Sequence, residues 1–285
     1  MTKAGRRFPG LSRWRKAGRY SKPLDHLVAA HYLLHVPSDP LDLLPGPFQR
    51  WFAARGWSPR AHQLALLEKA EAGRSALLIA PTGAGKTLAG FLPTLVELSQ
   101  RDLGQGKPAL VSTGSSVRRE SGLHTLYISP LKALAVDIAR NLQAPIAEMD
   151  LNIRVETRTG DTPVSRRQRQ RRYPPDIMLT TPEQLALLIA SDDGPFLFSS
   201  LKRVVLDELH ALVTSKRGDL LSLGLARLFR LAPELTTIGL SATVAEPDEL
   251  CRFLVPQNSD KPAAADLVRA AAGAAPVVEM LETQE

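Results

Sequence analysis

The sequence predicts an α/β fold: a mostly parallel sheet with helices on both faces. Three observations predict it. From Phe48 onward, short apolar runs alternate with longer stretches of helical period, the pattern of strands joined by crossover helices. The runs are bounded by turn formers, as buried strands should be. Nearly every polar motif follows directly on a strand end, where open α/β sheets carry their ligands.

Taken in order, the strands are expected at 76–80, 125–129, 153–157, 176–180, 203–207 and 236–240. The helices are expected at 61–71, 86–99, 131–148, 164–172, 182–190, 219–231 and 246–254. The first helix follows Ser58-Pro59, a capping residue with proline at the first helical position. Residues 101–122 break the alternation. They are Gly/Ser-rich, with Lys107, Arg118 and Arg119, and read as a flexible surface insertion. The domain plan is therefore a basic, disordered extension at 1–40 and one domain at 41–256. Residues 257–285 read as a linker or the truncated start of a second lobe, with short strands around 266–268 and 277–281.

The net charge of +7 is unevenly distributed. Residues 1–22 hold eight basic side chains and no acid, leaving 28 basic and 29 acidic residues for the rest. The basic balance belongs to the arm, which could grip phosphate or simply be a solvated tail. His26, His31 and His35 lie close in sequence, but no carboxylate or cysteine cluster accompanies them as metal ligands. The single cysteine, Cys251, excludes an internal disulfide framework and fits a reducing compartment. No apolar run reaches the length of a membrane span and no export signal is visible, so a cytoplasmic location without membrane partners is expected.

Three strand ends carry the chemistry. After 76–80 comes Ala80-Pro81-Thr82-Gly83-Ala84-Gly85-Lys86-Thr87. Gly83 and Gly85 let the backbone curl into an anion nest with Thr82 and Ala84, at the positive end of the next helix. Lys86 is placed to reach the β- and γ-phosphates of a nucleotide, and Thr87 to ligate Mg²⁺. After 203–206 comes Asp207-Glu208-Leu209-His210. Asp207 would hold Mg²⁺ through its water shell, and Glu208 would orient and deprotonate the attacking water. His210 would couple that site to its neighbours. After 236–240, a third apolar run, comes Ser241-Ala242-Thr243. Together these motifs read as a nucleic-acid-stimulated ATPase.

In this order and spacing, the motifs resemble the first, RecA-like motor lobe of superfamily 2 helicases of the DExH type. Within that group the chain is similar to the large helicase-related (Lhr) family, in particular its ligase-associated DNA helicase branch. The resemblance covers about residues 40–285 and adds further expectations. Gly56 to Gln63 matches the adenine-reading motif, in which Gln63 would bond adenine through its paired donor and acceptor. Arg60 stands where many relatives have Thr, so that contact differs here. Ser129-Pro130-Leu131-Lys132-Ala133-Leu134, Thr159-Gly160-Asp161 and Thr181-Pro182-Glu183 resemble the motifs that contact a nucleic-acid backbone. Ser241 and Thr243 resemble the motif linking hydrolysis to strand movement.

The resemblance implies ATP and Mg²⁺ as ligands and single-stranded or partly duplex DNA as partner, with RNA an alternative that backbone contacts separate poorly. It also implies a second lobe, expected to be missing here, and association with a DNA ligase and nuclease in repair. A phosphate-loop NTPase of another class, and a non-catalytic ATP- and nucleic-acid-binding module, are the rival readings. Arg166, Arg167, Arg169, Arg171 and Arg172 crowd one helix and cover most of its circumference, so they cannot all face one partner.

Overall fold

The computed structural model describes residues 40–104, 122–242, 244, 246–257 and 262–271. Seven strands form one sheet: β1 Ala76–Ile79, β2 Thr125–Ile128, β3 Val155–Arg158, β4 Ile177–Thr180, β5 Arg203–Leu206, β6 Thr236–Ser241 and β7 Asp266–Arg269. Their spatial order is β3-β4-β2-β5-β6-β1-β7, and every pair is parallel.

The ten α-helices among the described residues begin with α1 Gly46–Ala54, α2 Ala61–Glu71, α3 Lys86–Gly104 and α4 Lys132–Glu148. The others are α5 Val164–Arg172, α6 Pro182–Ile189, α7 Gly194–Phe198, α8 Leu209–Val213, α9 Lys216–Leu231 and α10 Pro247–Phe253. The side-chain period of two splits each central strand between two cores. Leu78, Tyr127 and Val205 face a core shared with α1 to α4. Leu77, Leu126, Leu206 and their like face a core built with α6, α8, α9 and α10. Covered on both sides, the strands are continuous apolar runs.

Helix α3 must lie close on the sheet to aim its N-terminus at the strand ends. Gly90 permits this: a methyl there would sit 2.9 Å from Leu240 Cδ1 and 3.2 Å from Val205 Cγ1. The helix outruns its expected end at 99, so residues 101–104 are helical and not part of a loop. The rest of the expected insertion, 105–121, lies outside the described residues.

Asp266–Arg269, at the short strand expected around 266–268, extends this sheet as an edge strand beside β1, in register Ala76↔Asp266 through Ile79↔Arg269. Asp266 draws it in by pairing with Lys69 at 3.5 Å and with Arg74. Helix α2 is capped by Arg60 and begins at Ala61, so Pro59 precedes the cap instead of filling the first helical position. The expected features at 1–39 and 277–281 lie outside the described residues.

Candidate nucleotide site and nucleic-acid interface

The phosphate loop spans β1 and α3. Ala80 N–H donates to Ser241 O at 3.1 Å, tying the loop to β6. Gly83 and Gly85 have φ of 78° and 75°, the left-handed region where a side chain is strained. Thr82 and Gly83 are exposed, Ala84 is buried, and Thr87 is half-buried in the first turn of α3. Lys86 Nζ donates to Ala80 O at 3.0 Å, so its ammonium lies folded over the loop's own backbone.

The loop rests on the first turn of α2. Gln63 Oε1 accepts from Arg60 N–H at 2.9 Å, and Gln63 is only 3% exposed. Its amide nitrogen lies so near Gly85 that a Cβ there would stand 3.0 Å away. Gln63 thus braces the loop, with its acceptor already engaged. Arg60 Nη1 donates to Gly83 O at 3.3 Å. His62, between Arg60 and Gln63 in the same motif, is buried with Nε2 3.0 Å from Ala84 O. Burial holds its pKa below the ordinary value, and a carbonyl only accepts, so the ring is neutral with its proton on Nε2.

At the end of β5, Asp207 is 6% exposed. Tyr127 Oη donates to its Oδ2, and Glu208 N–H donates to its Oδ1 at 3.0 Å. Tyr127 is itself fixed by stacking on Phe91, with centroids 5.1 Å apart. Burial raises the Asp207 pKa, while the Tyr127 hydrogen bond and the Lys86 charge oppose the rise. Glu208 has φ 47° and ψ 45°, a left-handed conformation uncommon for a non-glycine residue. His210 Nδ1 lies 3.0 Å from Ser241 Oγ and its Nε2 lies 3.5 Å from Glu208 Oε2. The acidic motif is therefore joined to the end of β6. Thr243 lies outside the described residues.

Strands β1 and β5 both flank β6, so their ends lie about 10 Å apart. Lys86 and Thr87 come from one end, Asp207 and Glu208 from the other. These are hard oxygen donors and one cation. No group of three or more His, Cys, Asp or Glu that could hold a metal occurs among the described residues. Few protein oxygens suit Mg²⁺, which keeps waters and shares nucleotide phosphates, so the donor set fits that ion.

The expected backbone-contacting residues follow β2, β3 and β4, adjacent strands whose ends form one row. Ser129 is fully buried, its Oγ accepting from Leu131 N–H at 3.4 Å. Lys132 is exposed at the start of α4, with Nζ 3.2 Å from both Asp161 oxygens. Thr159 is buried and its N–H donates to Thr162 Oγ1 at 2.9 Å, while Gly160 and Asp161 are exposed. Thr181 and Pro182 are buried at the start of α6. Glu183 is exposed and accepts from Arg217 Nε of α9. That hydrogen bond pulls the Glu183 pKa down to about 2. Arg217 was not singled out from the sequence.

The arginines of α5 divide by task. Arg167 donates to Gly160 O and Thr162 O at 2.6 and 2.7 Å, holding the loop. Arg171 pairs with Asp193 at 3.1 Å, and Arg169 with Glu156 at 2.8 Å.

The family model for the DEAD/DEAH box helicase matches residues 60–250. This chain belongs to that family. The helicase domain is 40% identical over 239 residues to the Lhr helicase/uracil glycosylase of Escherichia coli, covering 79% of this chain and 15% of that protein. It is 38% identical to the ATP-dependent helicase Lhr-Core of Methanocaldococcus jannaschii, covering 77% of this chain and 26% of the relative. Among solved structures, Mycobacterium smegmatis Lhr bound to ssDNA and AMP-PNP matches with a TM-score of 0.70 and 35% identity. That match covers 83% of this chain and 29% of the other. The fold is that of a RecA-like helicase lobe, and the chain spans only about a quarter or less of these two curated relatives. No helix among the described residues is long and apolar enough to cross a membrane.

Proposed function

We propose that this helicase domain binds ATP and couples its hydrolysis to movement along a nucleic-acid strand, with DNA as the preferred strand. One observation carries the reading. The Lys86 loop, the Asp207-Glu208 motif and Ser241 sit on three adjacent strand ends and are joined through Ala80–Ser241 and His210–Ser241. The bond from Tyr127 of β2 to Asp207 extends this link toward the proposed nucleic-acid row.

In this reading Lys86 leaves the Ala80 carbonyl for the β- and γ-phosphates, and the exposed loop amides cradle the same groups. Thr87, and Asp207 through water, would hold Mg²⁺, which would supply charge neutralisation at the phosphates. Glu208, held in its unusual backbone conformation, orients and deprotonates the attacking water. Gln63 and Arg60 report adenine occupancy to the loop they brace. Lys132, Gly160 and Glu183 present the exposed row to the phosphodiester backbone. The preference for DNA rests on a relative solved with ssDNA and on the sequence resemblance. A place in repair beside a ligase and nuclease rests on that resemblance alone.

Complete catalysis would draw arginines from a second lobe, worth roughly 10³–10⁵ in rate, or about 4–7 kcal/mol of barrier. The test is nucleotide binding and turnover by this chain, with and without single-stranded DNA, beside Lys86→Ala. The expected result is ATP binding that Lys86→Ala abolishes, with slow turnover. Nucleotide binding unaffected by Lys86→Ala would overturn the assignment of the site. DNA-stimulated turnover lost in Lys86→Ala would overturn the need for a second lobe.

A further inference from the structure

The nucleic-acid reading leaves one basic feature unused. A groove of about 690 Å³ runs between α4, the outer side of edge strand β3 and α5. Arg140, Arg154, Arg166 and Arg169 line it, against a single lining carboxylate, Glu156. Glu156 already accepts from Arg169 at 2.8 Å and from Gln170 at 3.0 Å. Among the described residues Arg140 has only Asp137, 3.8 Å away on its own helix, and its side chain stays 74% exposed. Arg154 lies 3.9 Å from Asp176 and donates to the Pro174 carbonyl. Arg166 makes no hydrogen bond or ion pair among the described residues. The groove therefore keeps positive charge at Arg166, and at Arg140, whose single carboxylate contact is long and exposed.

Its position gives that charge a direction. Val136, Arg140, Gln143 and Ala147 line the groove at spacings of four, three and four, one face of α4. Lys132 stands one turn before Val136 and heads the same face. Thr157, also on the wall, lies two residues before Thr159 and Gly160. Arg167, beside Arg166, holds the Gly160 and Thr162 carbonyls. One end of the groove thus lies about a helical turn from Lys132, and the groove follows α4 from Val136 to Ala147, about 17 Å.

We propose that this groove is a second, sequence-independent strand site, taking the phosphodiester backbone of nucleic acid that leaves the row at β2, β3 and β4. The inference rests on the proposed nucleic-acid reading. An acidic peptide would match the charge too. Continuity with the strand-end row favours nucleic acid, since a strand entering the groove needs no new contact to reach it.

The test uses the full chain and labelled oligothymidylates of about six and about twenty nucleotides, titrated at several salt concentrations. Each lost single-strand phosphate contact lowers the salt slope by about 0.7, so Arg140→Ala/Arg166→Ala should lower it by about 1.4 on the long strand. The short strand, held by the row alone, should be unaffected, and binding of an ATP analogue should be retained. An unchanged long-strand slope overturns the groove, as does an equal loss on both lengths. Loss of labelled polyglutamate binding with an unchanged long-strand slope would give the groove to a protein partner instead. If wild-type protein binds neither strand, the function reading falls first and the groove falls with it.

Discussion

A buried carboxylate needs donors, and Asp207 has two. Glu208 N–H satisfies Oδ1 from the adjacent residue, whereas the donor to Oδ2 comes from Tyr127, 80 residues away on β2. The phenol sits between the two cores' worth of chemistry: its ring stacks on Phe91 and its hydroxyl fixes the acid. Tyr127→Phe keeps the ring and removes only the hydroxyl. In the proposed reading Asp207 holds Mg²⁺ through water, and removing the outer partner of such an acid costs about 10-fold or more in metal affinity. The expected outcome is an Mg²⁺ requirement for nucleotide binding raised about 10-fold, read by titrating Mg²⁺ against a fluorescent ATP analogue. An unchanged Mg²⁺ requirement would reduce Tyr127 to a packing residue.

At the opposite ends of the strands, β2, β5 and α3 share a buried polar network. Arg203 Nη1 donates to Glu97 at 2.9 Å and to Thr94 Oγ1 at 3.2 Å, and His124 lies 3.4 Å from the same carboxylate. Breaking a fully buried pair leaves an uncompensated charge and costs about 3–5 kcal/mol. Water reaches Glu97, whose side chain is 42% exposed, so Glu97→Ala should cost less. About 2 kcal/mol is expected from urea unfolding, and Glu97→Ala/Arg203→Met should recover part of it. Burial raises the Glu97 pKa, but His124 and Arg203 outweigh it and bring it down to about 2. Burial lowers that of His124 below its ordinary 6.5, with Glu97 opposing. Both folded values are depressed, so both groups contribute stability that is complete above their unfolded pKa values and is lost on acidification. For His124 the loss begins as pH falls below 6.5; for Glu97 it runs from 4.5 toward about 2. Urea midpoints measured across this range should fall in two stages, and Glu97→Gln should shrink the lower one, to which Glu183 also contributes. A wild-type profile flat from neutral pH down to about 4 would refute the His124 contribution.

Across the whole lobe, what the sequence made legible follows from burial. The five inner strands are covered on both faces, so each reads as an apolar run with polar chemistry at its end. Helix α1 hid behind Pro45 and Pro47, and α7 and α8 are too short, at five residues each, to show a period. The site's motifs were readable because each is contiguous. Their partners were not: His62 meets Ala84 across 22 residues and Glu183 meets Arg217 across 34, and no local pattern encodes a contact that folding creates. Strand β7 shows a related limit: a short strand was legible around 266–268, but its partner β1, some 190 residues earlier, was not. Its placement has a consequence for any shortened chain. Asp266 N–H donates to Ser75 O, and Ala270 N–H donates to Ile79 O, closing the outer edge of the strand that carries the phosphate loop. A chain ending at 256 would expose that edge as a template for intermolecular pairing. At on the order of 1 kcal/mol per ladder bond, it should lose about 3 kcal/mol. That corresponds to a Tm lower by about 6–12 °C. A chain ending at 271 keeps β7 and should melt like the full chain. Thermal unfolding with light scattering on the two truncations decides it. If both melt alike and remain monomeric, β7 is a passive edge and the lobe ends at 256 after all.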